Sequence, residues 1–216
     1  MIVVSRPDHD QTTNYLKYWS KEIIDQIKKK GISLADLKGK KADKKTFWSY
    51  VSKNEVDFVF INGHGSEDGV GGFDNVELMS IRDKKKIKSN VIYARSCRSG
   101  KKLGKYLVKN GVKAFIGYDD DFVFFIDGKK KSKPLEDKLA TIFLKPSNLI
   151  ASSLVKGNNV DQANFKSKRM MKKNLNKLLT SENREYEYMA RYLYSNLIHQ
   201  VVWGNLRVSI FDKRYE

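Results

Sequence analysis

Two apolar segments of this chain each end on a side chain that can do covalent or acid–base chemistry. Residues 57–62 run into Gly63-His64-Gly65, and residues 90–96 run into Cys97-Arg98-Ser99-Gly100. Nearly continuous apolar runs are typical of strands that are covered on both faces of a parallel sheet. Because the carboxyl ends of parallel strands meet at one edge of a sheet, the sequence predicts that the imidazole and the thiol lie close together.

The composition indicates a folded protein of ordinary size. The 216 residues suffice for one domain over residues 1–216, and 40% apolar with 12% aromatic residues exceeds what disordered chains contain. No apolar run approaches the ~20 residues of a membrane span, so no membrane contact is expected. Residues 1–7 lack the features of a secretory signal, and one cysteine permits no internal disulfide. We therefore expect a cytoplasmic protein.

Strand and helix signals alternate along the first part of the chain, and helices predominate in the last part. This order favours an α/β fold with a mostly parallel central sheet flanked by helices and a helix-rich C-terminal part. Strands are predicted at residues 2–5, 56–62, 91–95, 113–118 and 206–211. Helices are predicted between Asp10 and Gly31, near 45–53, and over 103–108, 135–144, 148–154, 160–179 and 182–202.

His64 and Cys97 together have the chemistry of a nucleophilic site. A free thiol has a pKa of about 8.5, so a base is needed to form the thiolate, and His64 fits that role. The backbone N–H groups of Gly65 and Cys97 would form an oxyanion hole worth about 3 kcal/mol per donor. A helix expected to start at Ser99 and Gly100 would favour the thiolate through its positive end. These residues indicate a cysteine hydrolase, with a peptidase as the preferred interpretation.

The other two histidines lack this setting. His9 has no flanking glycines, and His199 falls among apolar residues of a predicted helix, so we interpret His199 as structural. One cysteine and three separated histidines do not have the spacing of a zinc site, and no metal ligand set is identified.

The pattern of an apolar strand ending in His-Gly and a second ending in Ala-x-Ser-Cys-x-Ser-Gly, at residues 94–100, resembles the caspase-like superfamily of cysteine peptidases (clan CD). It is most similar to CHAT-type and separase-type members, through residues 96–100 and the strand at 111–118. The resemblance covers residues 1–126. It implies a caspase-like three-layer fold, a catalytic dyad of His64 and Cys97, oxyanion donors at Gly65 and Cys97, and no cofactor.

The sequence departs from the caspase pattern at two points. Arg95-Ser96 precede Cys97 where caspases have Gln-Ala. The interval of 33 residues from His64 to Cys97 is shorter than the caspase spacing of about 50. Cleavage after aspartate is therefore not expected.

Three consecutive acids, Asp119, Asp120 and Asp121, follow the strand next to the cysteine strand and precede apolar residues 122–125. Separase-like relatives have an aspartate in this neighbourhood that recognises a basic side chain, so the resemblance implies cleavage after Arg or Lys. A solvated turn is the alternative, because Asp is common in turns. A rival pocket residue is Arg6, which would select an acidic side chain, since the caspase pocket arginine comes from that region.

Control of activity is expected to come from outside the dyad. The chain starts directly on its first strand, so no N-terminal prodomain is expected. The exposed Lys-Lys-Lys-Ser-Lys loop at residues 129–133 is a candidate self-processing site if basic residues are preferred. The resemblance implies an enzyme that acts on a protein or peptide substrate and stays latent until cleavage, a ligand or an activating partner switches it on.

The net charge of +17 raises an alternative from another class. Basic clusters are scattered along the chain, and 33 of the 42 basic residues are lysine, although arginine is the better residue for bidentate phosphate recognition. We interpret most clusters as solvated surface, and nucleic acid is not the favoured partner. The alternative is a basic nucleic-acid-binding or scaffold module with an inactive caspase-like core. A hydrolase or acyltransferase acting on a non-peptide ester or amide would use the same dyad.

Overall fold

A computed structural model describes residues 1–54 and 56–212. The strands are β1 (Ile2–Arg6), β2 (Leu34–Lys38), β3 (Val56–Asn62), β4 (Gly69–Gly71), β5 (Glu77–Ser80), β6 (Ser89–Arg95), β7 (Ala114–Tyr118) and β8 (Gln200–Gly204). The helices are α1 (Gln11–Trp19), α2 (Lys21–Lys29), α3 (Lys44–Val51), α4 (Leu103–Lys109), α5 (Lys138–Val155), α6 (Val160–Leu179) and α7 (Arg184–His199). Across the described residues, no helix combines the length and apolar content that crossing a bilayer requires.

Six strands form the central sheet in the order β2-β1-β3-β6-β7-β8. The first five of these are parallel to their neighbours, and β8 runs antiparallel to β7. The remaining two, β4 and β5, pair as a separate antiparallel hairpin. This architecture confirms the predicted α/β fold with a mostly parallel sheet. The carboxyl ends of β1, β3, β6 and β7 share one edge of it, where the predicted site residues lie.

Alternate residues of the strands pack against helices on opposite faces of the sheet. On one face, Phe60 and Tyr93 belong to a cluster with residues of α1, α2 and α5. On the other face, Val59 and Ile92 belong to a cluster with residues of α3 and α4. Because side chains alternate along a strand, burial on both faces accounts for the continuous apolar runs in the sequence. The helices α5, α6 and α7 build a third cluster of their own.

Helix α5 spans two segments that were predicted as separate helices. The predicted helices at 135–144 and 148–154 are one element, and Pro146 lies inside it. Proline cannot donate to the carbonyl of Ile142, four residues earlier. The side-chain amide of Asn174 donates to that carbonyl at 2.8 Å, so the lost helical bond is replaced by a contact with α6.

The predicted strand at 206–211 is wrong. Val208 and Ile210 are buried, but neither lies in a strand. The carbonyls of Val208 and Leu206 accept from the first amides of α6, those of Val160 and Asp161, at 3.0 and 2.9 Å. The segment therefore supplies hydrogen-bond acceptors for the first amides of α6 and does not join the sheet.

The last strand of the sheet lies earlier in the sequence than the predicted strand at 206–211. One predicted helix is divided, and three strands were not predicted. Residues 200–202, predicted as the end of a helix, begin β8. The predicted helix between Asp10 and Gly31 is divided into α1 and α2 at Ser20. The edge strand β2 and the hairpin β4–β5 were not predicted, because lysine and acidic residues or glycines interrupt their apolar patterns.

A buried guanidinium ties the sheet to two helices just before the predicted site. Arg95, the last residue of β6, is fully buried, and its Nε and Nη2 donate to Asn62 Oδ1 of β3 at 2.9 and 2.6 Å. Its Nη1 donates to Asn148 Oδ1 of α5 at 2.8 Å. Further acceptors are Ser147 Oγ, Leu16 O and Ser20 Oγ. Burial lowers the pKa of Arg95 to about 10, so it remains charged at neutral pH.

Replacing Arg95 by leucine is expected to lower the free energy of unfolding by about 2–4 kcal/mol, because buried acceptors lose their donor. The control is Arg82→Leu, which removes an exposed arginine paired with Glu77 and is expected to cost less than about 1 kcal/mol. Urea denaturation followed by circular dichroism measures both. Equal stability losses in the two variants would contradict a structural role for Arg95.

Candidate active site

The sheet register places His64 and Cys97 at equivalent positions beyond two neighbouring strands. β3 and β6 are neighbours, and their last paired residues are Asn62 and Arg95. His64 and Cys97 each follow by two residues. The two loops touch, because a β-carbon on Gly65 would lie 2.4 Å from the carbonyl oxygen of Cys97 and 3.1 Å from its nitrogen. Only glycine at position 65 permits this approach.

His64 is held by a carboxylate from the neighbouring strand end. Its Nε2 lies 2.6 Å from Asp10 Oδ2. Asp10 follows β1 and also caps α1, where Oδ1 accepts from the backbone N–H of Thr13 at 2.7 Å. From sequence, Asp10 was placed only at the start of a predicted helix. Its contact with His64 depends on the adjacency of β1 and β3, which no local pattern reveals.

The carboxylate of Asp10 stays ionised well into the acidic range. Burial opposes its charge, but hydrogen bonds from Thr13 and His64 outweigh burial and lower the pKa of Asp10. A lowered carboxyl pKa stabilises the folded state above the unfolded pKa of Asp10, and that contribution is lost as the pH falls through the folded value. The Asp10–His64 contact is therefore maintained at neutral pH.

The Cys97 thiol is protonated at rest. Burial raises the pKa of Cys97, Asp121 raises it further, and the charge of Arg98 partly offsets the rise. Its Sγ lies 3.8 Å from the carbonyl oxygen of Phe122. The prediction that a helix starts at Ser99 and Gly100 and stabilises the thiolate is wrong. Helix α4 begins only at Leu103, and turns occupy the intervening residues.

Two residues that line the cleft, Gly65 and Cys97, have backbone amides without an acceptor among the described residues. The amide of Ser66 donates to Gly69 O at 2.8 Å, and the amide of Gly71 donates to His64 O at 2.9 Å. These two bonds flank Gly65 without using its own N–H. Within the part of the chain that the structure describes, neither the Gly65 N–H nor the Cys97 N–H donates to another protein group. Both donors are free to bind an oxygen at this edge.

The three predicted acids have different partners. Asp119 Oδ1 lies 2.8 Å from His199 Nδ1, at the end of α7. Asp121 Oδ2 accepts from Arg98 Nη2 at 2.8 Å, and Asp120 lies 3.9 Å from Arg98 Nε. Asp121 alone of the three lines the cleft beside the thiol. This cleft of about 640 Å³ is lined by Gly65, Ser66, Glu67, Cys97, Arg98, Asp121, Phe122 and Val123.

Arg6 does not reach this cleft as a free charge. Its side chain is largely buried and makes a two-point contact with Asp36 of β2. A guanidinium already paired with a carboxylate is not available to a substrate. The structure therefore does not favour the rival pocket for an acidic side chain.

The fold matches solved structures of a cysteine proteinase. The crystal structure of the Arg specific cysteine proteinase gingipain R (RGPB) has a TM-score of 0.59 at 11% identity, over 96% of this chain and 46% of that chain. The complex of Porphyromonas gingivalis RgpB pro- and mature domains has a TM-score of 0.58 at 11% identity, over 97% of this chain and 48% of that chain. This chain thus spans about half the length of these chains.

Similarity at this level of identity shows the fold, which is the caspase-like fold of gingipain R. A scan against protein-family models found no match, and a search of the curated proteins found none. The finer resemblance to CHAT-type and separase-type proteases stays a prediction.

Replacing Asp121 by asparagine is expected to lower the pKa of Cys97, because the aspartate charge disfavours the thiolate. Alkylation of Cys97 by iodoacetamide should then become faster near neutral pH, and its pH profile should move to lower pH. The control is Glu67→Gln, which removes an acid that lines the same cleft but pairs with Lys101 and Lys102. An unchanged profile in the Asp121 variant would contradict this account.

Proposed function

We propose that this protein is a cysteine endopeptidase that uses Cys97 as nucleophile and His64 as general base and acid. The carrying observation is the register of β3 and β6, which places an imidazole and a thiol two residues beyond one strand pair. The backbone of Gly65 packs against the backbone of Cys97, so the loops after β3 and β6 are in direct contact. The caspase-like fold of gingipain R, which is named as a cysteine proteinase, supports the same chemistry.

In the proposed reaction, the peptide carbonyl lies between the thiol and the two unbonded amides. His64 takes the thiol proton at Nδ1, since its Nε2 is engaged by Asp10. Sulfur attacks the carbonyl carbon, and the amides of Gly65 and Cys97 stabilise the oxyanion. His64 then protonates the leaving amine, and water hydrolyses the acyl-enzyme with His64 as base.

We infer that the residue before the scissile bond is arginine or lysine. Its side chain would enter the cleft beside Cys97 and reach Asp121, displacing Arg98 from that carboxylate. Asp119 and Asp120 would act indirectly, by holding His199 and Arg98 at the rim. The neighbouring proteinase is described as Arg specific, which supports a basic preference.

We also infer that the free protein is latent. The thiol is protonated, and its Sγ lies 3.8 Å from the carbonyl oxygen of Phe122, so the nucleophile is not activated at rest. An activating partner, or cleavage in the exposed loop at residues 129–133, would allow His64 to deprotonate the Cys97 thiol. The complex of RgpB pro- and mature domains offers a precedent for a protein segment bound to this fold.

The activity test uses fluorogenic peptides with Arg, Lys, Asp or Asn before the scissile bond. Cleavage after Arg or Lys is expected, and Cys97→Ala should reduce it at least about 10⁴-fold. Labelling of Cys97 by an electrophilic peptide, followed by mass spectrometry, detects a competent site that turns over slowly. No cleavage and no labelling, together with salt-dependent nucleic-acid binding, would favour the binding module instead.

Asp10→Asn is expected to lower kcat about 10- to 100-fold with little change in KM, because the amide keeps the helix cap but loses the charge that orients His64. Asp43→Asn is the control, since Asp43 caps α3 through the amide of Thr46 in the same way. Steady-state kinetics on the best peptide measures both variants. Equal kcat values in the two would exclude a role for Asp10 beyond capping.

A further inference from the structure

A second histidine lies against the proposed catalytic one. His9 Nε2 is 3.5 Å from Asp10 Oδ2, the same oxygen that contacts His64 Nε2 at 2.6 Å. One donor atom from each of these residues lies within 4.8 Å of the others. His9 and His64 are 55 positions apart in sequence, so spacing gave no sign of this cluster.

The position of His9 is fixed by its surroundings. Its side chain is only 8% exposed, although it lies at the mouth of the sheet edge. The ring of Phe73 packs edge-on against it at 5.6 Å, and Asn75 Oδ1 lies 3.1 Å from Nε2. In the described part of the chain Nδ1 of His9 has no hydrogen-bond partner, so contacts at Nε2 set the ring orientation.

We propose that His9, Asp10 and His64 bind a divalent transition metal ion of the Zn²⁺ class, and that this ion inhibits the enzyme. Two imidazoles and one carboxylate are donors that zinc accepts. Tetrahedral zinc with bonds of about 2.0–2.1 Å separates its ligand atoms by about 3.3 Å. The His9–Asp10 distance is already close to this value, and the His64–Asp10 contact would lengthen by less than about 1 Å. Asn75 Oδ1 or water would supply the fourth ligand.

The inhibitory effect rests on the proposed function of His64. In the proposed mechanism, Nε2 of His64 donates to Asp10, which leaves Nδ1 to take the thiol proton. A metal ion takes the lone pair of Nε2, so the ring proton moves to Nδ1. The ring then has no free nitrogen, and Cys97 loses its base without any change in the thiol itself.

Metal binding is measured by calorimetric titration of Zn²⁺ into Cys97→Ala, which removes the thiolate as a competing ligand. One ion per chain is expected. His9→Ala and His9→Phe should each weaken binding at least about 100-fold, the phenylalanine preserving the ring volume. His199→Ala is the control, because His199 pairs with acids outside the cluster. Co²⁺ titration should give a visible absorption band that the His9 variants lose.

Inhibition is measured on the protein with Cys97 intact. Each variant is compared with its own metal-free rate. Zn²⁺ should suppress electrophile labelling and peptide cleavage in the unmodified protein and in His199→Ala, but not in His9→Phe. Calorimetry decides the metal site even if the chain proves not to cleave peptides. Zinc binding that is absent, or equally tight in both His9 variants, would overturn the proposal.

Discussion

The buried guanidinium of Arg95 is the interaction on which the geometry of this edge depends. It ends β6 two residues before Cys97, and its principal acceptor, Asn62, ends β3 two residues before His64. The side-chain amide of Asn62 in turn donates to Ser5 O of β1 at 3.0 Å. Three strand ends are thus joined by one hydrogen-bonded group beneath the reactive side chains. A buried charge tolerates little displacement, because every lost bond leaves a desolvated polar atom.

The charged groups near His64 and Cys97 are paired with one another, and the thiol is uncharged. Asp10 is ionised and engages His64, while the Cys97 thiol is protonated by virtue of burial and the nearby Asp121. Arg98 is paired with Asp121, so the charges in the cleft are balanced internally. Under the proposed function, a basic substrate side chain would replace Arg98 at this carboxylate. Substrate binding would then also release the contact between Arg98 and Asp121.

The sequence identified the residues whose role follows from their position along a strand. His64 and Cys97 could be paired from sequence because both follow apolar runs, and parallel strands place such ends together. Residues whose partners come from distant segments could not be paired in this way. Asp10 and His9 reach His64 only because β1 lies next to β3, and Arg95 finds its acceptors on β3, α1 and α5. Strand order is a property of the folded chain, and local periodicity does not encode it.

The sequence by itself determined the fold class, because burial on both faces of a parallel sheet requires the continuous apolar runs seen at β3 and β6. It failed at residues 206–211, where an apolar pattern serves a helix start, and at β2 and β8, where tertiary pairing overrides a polar or helical pattern. Only the tertiary structure decided which acids meet which bases. The three acids are direct neighbours in sequence but have different surroundings. Asp119 contacts His199, Asp120 lies near both Arg98 and His199, and Asp121 lines the cleft. The physical reason is that charge interactions act through space, and the chain path sets those distances only after it has folded.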